Sequence, residues 1–265
     1  MPEEISKLLM NVLKTQAALG EDNFPLKVST LKSKISSGKK SPLPQLPKLE
    51  SVKAFQLPQG SKLEQWTWLK HHVLNCPVCL SHVHPGKKLV FGSGNLDAKI
   101  FFCGEAPGAD EEEQGEVFVG RAGQLLNKII EAMGLARSDV YIGNIMNWRP
   151  EMPTLVGNRP PTQEEMNVCL PYLKAQVEIV KPDVIVALGA TAVNGLLGFD
   201  SQRRMKDCRG KWFSFSNIPL LITYHPSYLL RNATKAAKRI VWEDMLLVME
   251  KVSMPISDKQ KNYFL

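Results

Sequence analysis

Four short apolar runs, separated by stretches of helical periodicity, restrict this chain to a small set of folds. The runs are AKIFFCG, VYIGNI, DVIVALG and PLLITYH, each bounded by Gly, Pro, Asp or Lys. Apolar runs without polar alternation belong to strands covered on both faces. Between them lie AGQLLNKIIEAMG, TQEEMNVCLPYLKAQVEIV and ATAVNGLL, which repeat their apolar residues at helical spacing. Strand–helix alternation of this kind implies a parallel sheet with helices on both faces. The expected fold is therefore α/β, a three-layer α/β/α arrangement around a central, mainly parallel four-stranded sheet. Thr162 and Glu165 stand at capping-box spacing and predict a helix over 163–180. SKLEQWTWLKHHVL predicts a helix with Trp66, Leu69 and Val73 on one side, and a last helix is expected over 234–252.

The N-terminal part has a different texture. Residues 20–60 are rich in Lys, Ser and Pro, a composition that cannot bury a core and reads as a flexible linker. Residues 1–18 carry Ile5, Leu8, Leu9, Val12 and Leu13 at helical spacing. The expected organisation is a flexible, disordered extension at 1–60, with an arm that binds another protein or DNA as the alternative, a folded domain at 61–253, and a tail at 254–265. The formal charge of +7 includes +4 from residues 1–60. A basic excess fits a nucleic-acid partner, but here only a local patch of the domain could carry it. The N-terminus has no secretory apolar region, and no apolar stretch is long enough to span a bilayer. These features predict a cytoplasmic, nucleoid-associated monomer that makes no membrane contact. Five cysteines, an odd count with one close pair, argue against a secreted disulfide framework.

In open α/β sheets the ligand sits beyond the carboxyl ends of the strands. Here those ends run into GEAPGADEEE, NIMNWRP, LGATA and YHPSYLLR. The first is not a P-loop, since no Gly-Lys-Ser/Thr follows, and it lacks dinucleotide-fingerprint spacing. Glu105 stands directly at a strand end, where its side chain would point into a site. Glu112 and Glu113 are expected on a solvated acidic face. His225 ends a buried strand, and the proline after it fixes its direction.

Taken in order, the CxxC at Cys76 and Cys79, FGSGNLDAKI, GEAPG, FVGRAGQLL, the Asn strand, the RPPT loop, a Cys-bearing helix, PDVIVALGATA, RGKW and YHPSYLLR resemble the uracil-DNA glycosylase superfamily. The resemblance is to the family 4 enzymes of bacteria and archaea, and it covers Cys76 to Leu247. It implies an enzyme that flips uracil out of DNA and hydrolyses its N-glycosidic bond, a monofunctional glycosylase that starts base excision repair. By that resemblance Glu105 and His225 are catalytic. Ala106, Gly108, Phe118 and Asn144 contact the substrate. Arg121, Arg149, Asn158, Arg159, Ser227, Tyr228, Leu229 and Arg231 face DNA, with the segment Tyr228–Leu230 as a wedge. Ala106 follows Glu105 where family 1 relatives carry aspartate, so no strong general base is implied. The loop EMPTLVGNRPP contains no His, which implies turnover and not covalent trapping of the sugar.

The same resemblance implies a 4Fe-4S cluster on four cysteines. Cys76, Cys79 and Cys169 match, but Trp148 stands where relatives carry the fourth. Three outcomes remain open at this point: a cluster with a substitute ligand such as Cys208, His82 or His84; a zinc ion on the three cysteines and a histidine; or loss of the metal, with Trp148 filling its space. Two other functions also remain open, a non-catalytic module that binds uracil or damaged DNA, and a glycosylase for the deaminated purines hypoxanthine and xanthine.

Overall fold

The computed structural model describes residues 54–151 and 159–265. The expectations for residues 1–53 and for Asn158 lie outside the described residues.

The strand order explains where a site can form. The four expected apolar runs are β2 (Ile100–Gly104), β3 (Tyr141–Asn144), β4 (Val184–Leu188) and β6 (Ile218–Thr223). Together with β1 (Ser93–Gly94) and β5 (Trp212–Phe215) they make one sheet in the order β1-β3-β2-β4-β6-β5. The inner four strands are parallel, and β1 and β5 pair antiparallel at the edges. The sheet therefore has six strands where four were expected. β1 is two residues long and carries no apolar run. β5 is exposed along three of its four residues, so neither edge shows the signature of a buried strand.

Side chains alternate across the inner strands, as the two-residue period requires. Phe101, Cys103, Tyr141, Ile185, Ala187, Leu220 and Ile222 point to one core. Ile100, Phe102, Ile142, Val184, Val186, Leu188 and Leu221 point to the other. The first core is closed by α1 (Lys62–Leu74), α5 (Gln163–Val180) and α6 (Gly189–Leu197), and the second by α4 (Arg121–Ala132) and α9 (Lys235–Lys251). That is the three-layer arrangement. Short helices complete it: α2 (Pro77–Leu80), α3 (Ala109–Gln114), α7 (Met205–Cys208), α8 (Pro226–Arg231) and α10 (Asp258–Lys261). None of the described helices is long and apolar enough to cross a membrane.

The helix starts follow local chemistry. Ser61 and Glu64 close a capping box on α1, and Thr162 and Glu165 close one on α5. Pro226 opens α8 at a position where its missing N–H is not needed. Phe55 packs on Trp68, His72 and Tyr172. Beyond residue 253, Trp242 Nε1 donates to the Gln260 carbonyl at 2.6 Å, and Gln260 Nε2 donates to the Ala132 carbonyl at 3.0 Å.

Candidate active site

Chain direction creates the site. From β2 the chain crosses to β3 on one side, then returns past β2 to reach β4 on the other. The carboxyl ends of β2 and β4 thus flank the switch point where ligands bind in open sheets. Register aligns the neighbouring groups. Gly104 pairs with Asn144, and Leu188 with Thr223, so Glu105, Asn144, Gly189 and His225 leave the sheet at one level.

The closest approach is at Gly104. A Cβ there would lie 2.4 Å from Asn144 Oδ1 and 2.6 Å from the Phe118 ring. Asn144 and Phe118 therefore face the same point above β2, and only a glycine leaves room for both. The Phe118 and His225 rings are 5.8 Å apart between centroids, inclined by 35°. A Cβ on Gly189 would come within 2.9 Å of the His225 Cβ, so the turn after β4 lies directly against the root of the His225 side chain.

Each polar group is prepared differently. Asn144 is buried, and its Oδ1 has no hydrogen-bond partner within the protein. An unpaired buried acceptor costs about 1–3 kcal/mol, and a ligand N–H can recover that cost. His225 Nδ1 accepts the Ser227 N–H at 3.2 Å and lies 2.9 Å from Ser227 Oγ. An Nδ1 that accepts places the ring hydrogen on Nε2. Burial, and then the charge of Arg231, lower the His225 pKa to about 4. The ring is therefore neutral near pH 7, with Nε2 as a donor. Burial holds the Glu105 carboxyl above its ordinary value, against a hydrogen bond from Thr191 that favours the charged form. Thr191 was not singled out from sequence. It stands in the first turn of α6, three residues past β4, in the LGATA segment that was recognised only as a strand end.

The other expected site residues divide into two groups. Arg121 and Arg231 are exposed beside the site, and Tyr228 stacks on Tyr224 at 4.2 Å. Arg149, Arg159 and Leu229 have side chains that already make contacts within the protein. Arg149 is bonded to the buried carboxylate of Glu112 at 2.7 Å, and that carboxylate also meets His84 Nδ1 at 2.9 Å. Glu112 is thus a buried ionic hub and not a solvated charge, whereas Glu113 is exposed and paired with Lys87. Arg159 forks onto both oxygens of Glu165, at 2.7 and 2.6 Å. Leu229 is buried against Ala237 and Val241, which leaves Leu230 as the exposed apolar side chain of that segment. Ala106 is half-buried against the core, and the Gly108 N–H is taken by Glu111 Oε2.

The cysteine corner lies in the core closed by α1 and α5. Cys79 lies beside Cys169 and Cys76. Trp148 is 1 % exposed, and its ring stacks on His82 at 4.9 Å and 15°. Among the described residues no substitute fourth ligand is grouped with the three cysteines. His84 is bound to Glu112, and Cys208 Sγ donates to the Met205 carbonyl. Cys103 is a small core residue of β2. Among the described residues no group of three or more His, Cys, Asp or Glu side chains is arranged to hold a metal ion. The residues present do not fit a four-cysteine cluster.

An amide edge, a ring face, a neutral imidazole and a carboxylate around one point suit the capture of a single planar base with its sugar, as in enzymes that act on extruded nucleobases. The family profile of the Uracil DNA glycosylase superfamily matches residues 91–246, and this chain belongs to that superfamily. It is 42% identical over 181 residues to the type-4 uracil-DNA glycosylase of Thermotoga maritima, covering 67% of this chain and 89% of that protein. It is 39% identical over 166 residues to the type-4 enzyme of Pyrobaculum aerophilum, covering 60% and 82%. The similarity to a type-5 uracil-DNA glycosylase of the same archaeon is lower, 30% over 154 residues.

Proposed function

We propose that this chain excises uracil from DNA by monofunctional hydrolysis of the N-glycosidic bond, with Glu105, Phe118, Asn144 and His225 around the extruded base. The observation that carries this reading is the unpartnered, buried Oδ1 of Asn144 opposite the Phe118 ring. Uracil stacked on Phe118 would present N3–H to that oxygen and O4 to the amide nitrogen. Cytosine would present an acceptor to the oxygen and a donor to the amine, and both contacts would be mismatched.

His225 Nε2–H donates to uracil O2 as the bond between C1′ and N1 breaks and its electron pair passes to the base. Glu105 faces the deoxyribose, where its carboxylate steadies the positive charge that develops on the sugar and orients the water whose oxygen bonds to C1′. Bases already mispaired with guanine cost less to extrude, so U·G sites should react faster than U·A. Arg121 and Arg231 meet phosphates, and Leu230, with Tyr228 beside it, enters the vacated stack.

A single-turnover assay on duplexes containing U·G, U·A, hypoxanthine or xanthine tests this reading, with uracil expected to be released first. Glu105→Gln should lower the uracil rate about a hundredfold, the scale of one well-placed electrostatic group. The acid limb of the wild-type profile should lie above the ordinary carboxylate value of 4.5, because Glu105 must be ionised and its pKa is raised. The same profile should show no inflection near 6.5, because His225 stays neutral down to about 4. Preferential release of a purine, or a Glu105→Gln variant with full rate and an unaltered limb, would overturn the assignment.

We read the cysteine corner as packed and metal-free, with Trp148 on His82 in place of a cluster ligand. Protein purified without air should contain no stoichiometric iron and show no broad visible absorbance. Chelators should leave its unfolding midpoint unchanged. Iron at four atoms per chain would refute this reading.

A further inference from the structure

Phe118 has a backbone conformation that needs support. Its φ is 52°, in the left-handed region that a residue with a large side chain seldom occupies. Such a residue persists only where its surroundings over-determine it. Two charged side chains supply that support from opposite sides of the backbone. Glu111 Oε1 accepts the N–H groups of Val119 at 3.0 Å and Gly120 at 2.8 Å, and its Oε2 accepts the Gly108 N–H at 3.1 Å. One carboxylate thus ties the GEAPG turn to the segment that carries the ring. Arg137 grips the carbonyl side. Its Nη1 donates to the Phe118 carbonyl at 3.2 Å and to Asn127 Oδ1 at 3.0 Å, and its Nη2 donates to the Val117 carbonyl. Gly123 allows the close approach, because a Cβ there would lie 2.0 Å from the Phe118 carbonyl oxygen.

We propose that Glu111 and Arg137 are positioning residues that lock Phe118 as a rigid platform for the extruded base, one by binding the N–H groups of its loop and the other by binding the carbonyls. This rests on the reading of Phe118 as the ring under the base. Neither side chain needs to touch substrate. An aromatic ring on a loose loop would still be present, but the base would stack on it in fewer orientations, and pre-set geometry is what a reacting base requires. The acidic loop between Glu105 and Glu113 thereby acquires a role that its sequence did not disclose. Glu111 is its clamp, while Glu112 is the neighbouring ionic hub.

A double-mutant cycle tests the proposal with the full chain and uracil-containing duplex. Phe118→Ala should lower the single-turnover rate about ten- to a hundredfold, the range for one lost base-stacking ring. Glu111→Gln and Arg137→Lys should each give a smaller loss in the same direction. Both should retain wild-type affinity for duplex that carries an abasic site, where no base remains to be stacked. Phe118→Ala/Arg137→Lys should be no slower than Phe118→Ala alone. If Phe118→Ala excises at the wild-type rate, the platform reading fails whatever the clamp variants do. If Phe118→Ala is slow but the Arg137→Lys loss adds to it in full, or falls equally on abasic-site binding, the clamp proposal is overturned and the platform reading stands. A fall in unfolding midpoint without a change in rate would also overturn the clamp, leaving the two residues as structural ties.

Discussion

His225→Ala is expected to lower the single-turnover rate of uracil excision by about a hundred- to a thousandfold, the usual loss for one pre-oriented donor at a developing negative charge. The reasoning starts from the cap of α8. Ser227 N–H occupies Nδ1, burial keeps the ring uncharged, and the proton is thereby assigned to Nε2. A neutral donor suits a leaving base that gains negative charge only in the transition state, because it does not bind an anion beforehand. His225→Gln keeps a donor of different reach and should recover part of the rate. Burial, and then the charge of Arg231, disfavour protonation, so the folded state resists it. As pH falls below 6.5 the unfolded chain gains a proton that the folded chain refuses. The contribution of this histidine to stability is therefore complete above 6.5 and is lost as pH falls toward about 4. A rate for His225→Ala within a few-fold of wild type, measured on U·G duplex with the fold verified, would remove His225 from the mechanism.

Arg209→Ala is expected to destabilise the domain by about 3–5 kcal/mol, the scale for leaving one member of a buried ion pair alone. Asp244 is fully buried on α9. Arg209 binds both of its oxygens, Nε at 3.1 Å, and also donates to the Ile240 carbonyl at 2.9 Å. The Thr223 hydroxyl adds a bond of 2.7 Å from the end of β6. Burial still holds the Asp244 carboxyl above its ordinary value, which shows how much the charge depends on its partners. Urea unfolding would measure the loss. The double variant Arg209→Met/Asp244→Leu should recover most of it, since replacing both charges removes the stranded one. Arg209 opens the RGKW segment, one of those that carry the family resemblance. With its guanidinium spent on Asp244, the salt dependence of DNA binding should be the same in folded Arg209→Lys as in the wild type. A change of one unit in the salt slope would place it among residues that contact phosphate.

Much of the architecture could be read directly because the physics is local. An uninterrupted apolar run such as DVIVALG, closed by a glycine, can be little other than a strand covered on both faces. Thr162 and Glu165 state where α5 begins. Glu105 and His225 were singled out because strand ends are where open sheets place ligands, and the family likeness added Asn144 and supplied the roles. What escaped was set by tertiary contacts. β5 carries Trp212 and Phe213 on an exposed edge, so its sequence lacks the pattern of a core strand. Nothing in the sequence shows that Arg149 and Arg159 pair with Glu112 and Glu165. Glu112 and Glu113 are adjacent in sequence and alike in chemistry, yet one is buried between Arg149 and His84 and the other is exposed. Helical direction decides between them, and nothing in the run EEE announces it. Leu229 and Leu230 divide in the same way. The cysteine corner was legible only as an incomplete set, and the stacking of Trp148 on His82 came from the fold.

The in-register ends of the inner strands have a consequence for how such a pocket can diverge. Glu105, Asn144 and His225 are carried at or just past strands whose opposite rows of side chains are buried in separate layers. To shift any one of them along its strand by a single residue would turn that strand inside out and expose its core row to water. Their spacing is therefore inherited from the hydrophobic interior and is closed to gradual change. Preference for another damaged base would have to arise by exchanging the chemical group at a fixed address, an amide for a carboxylate or one ring for another.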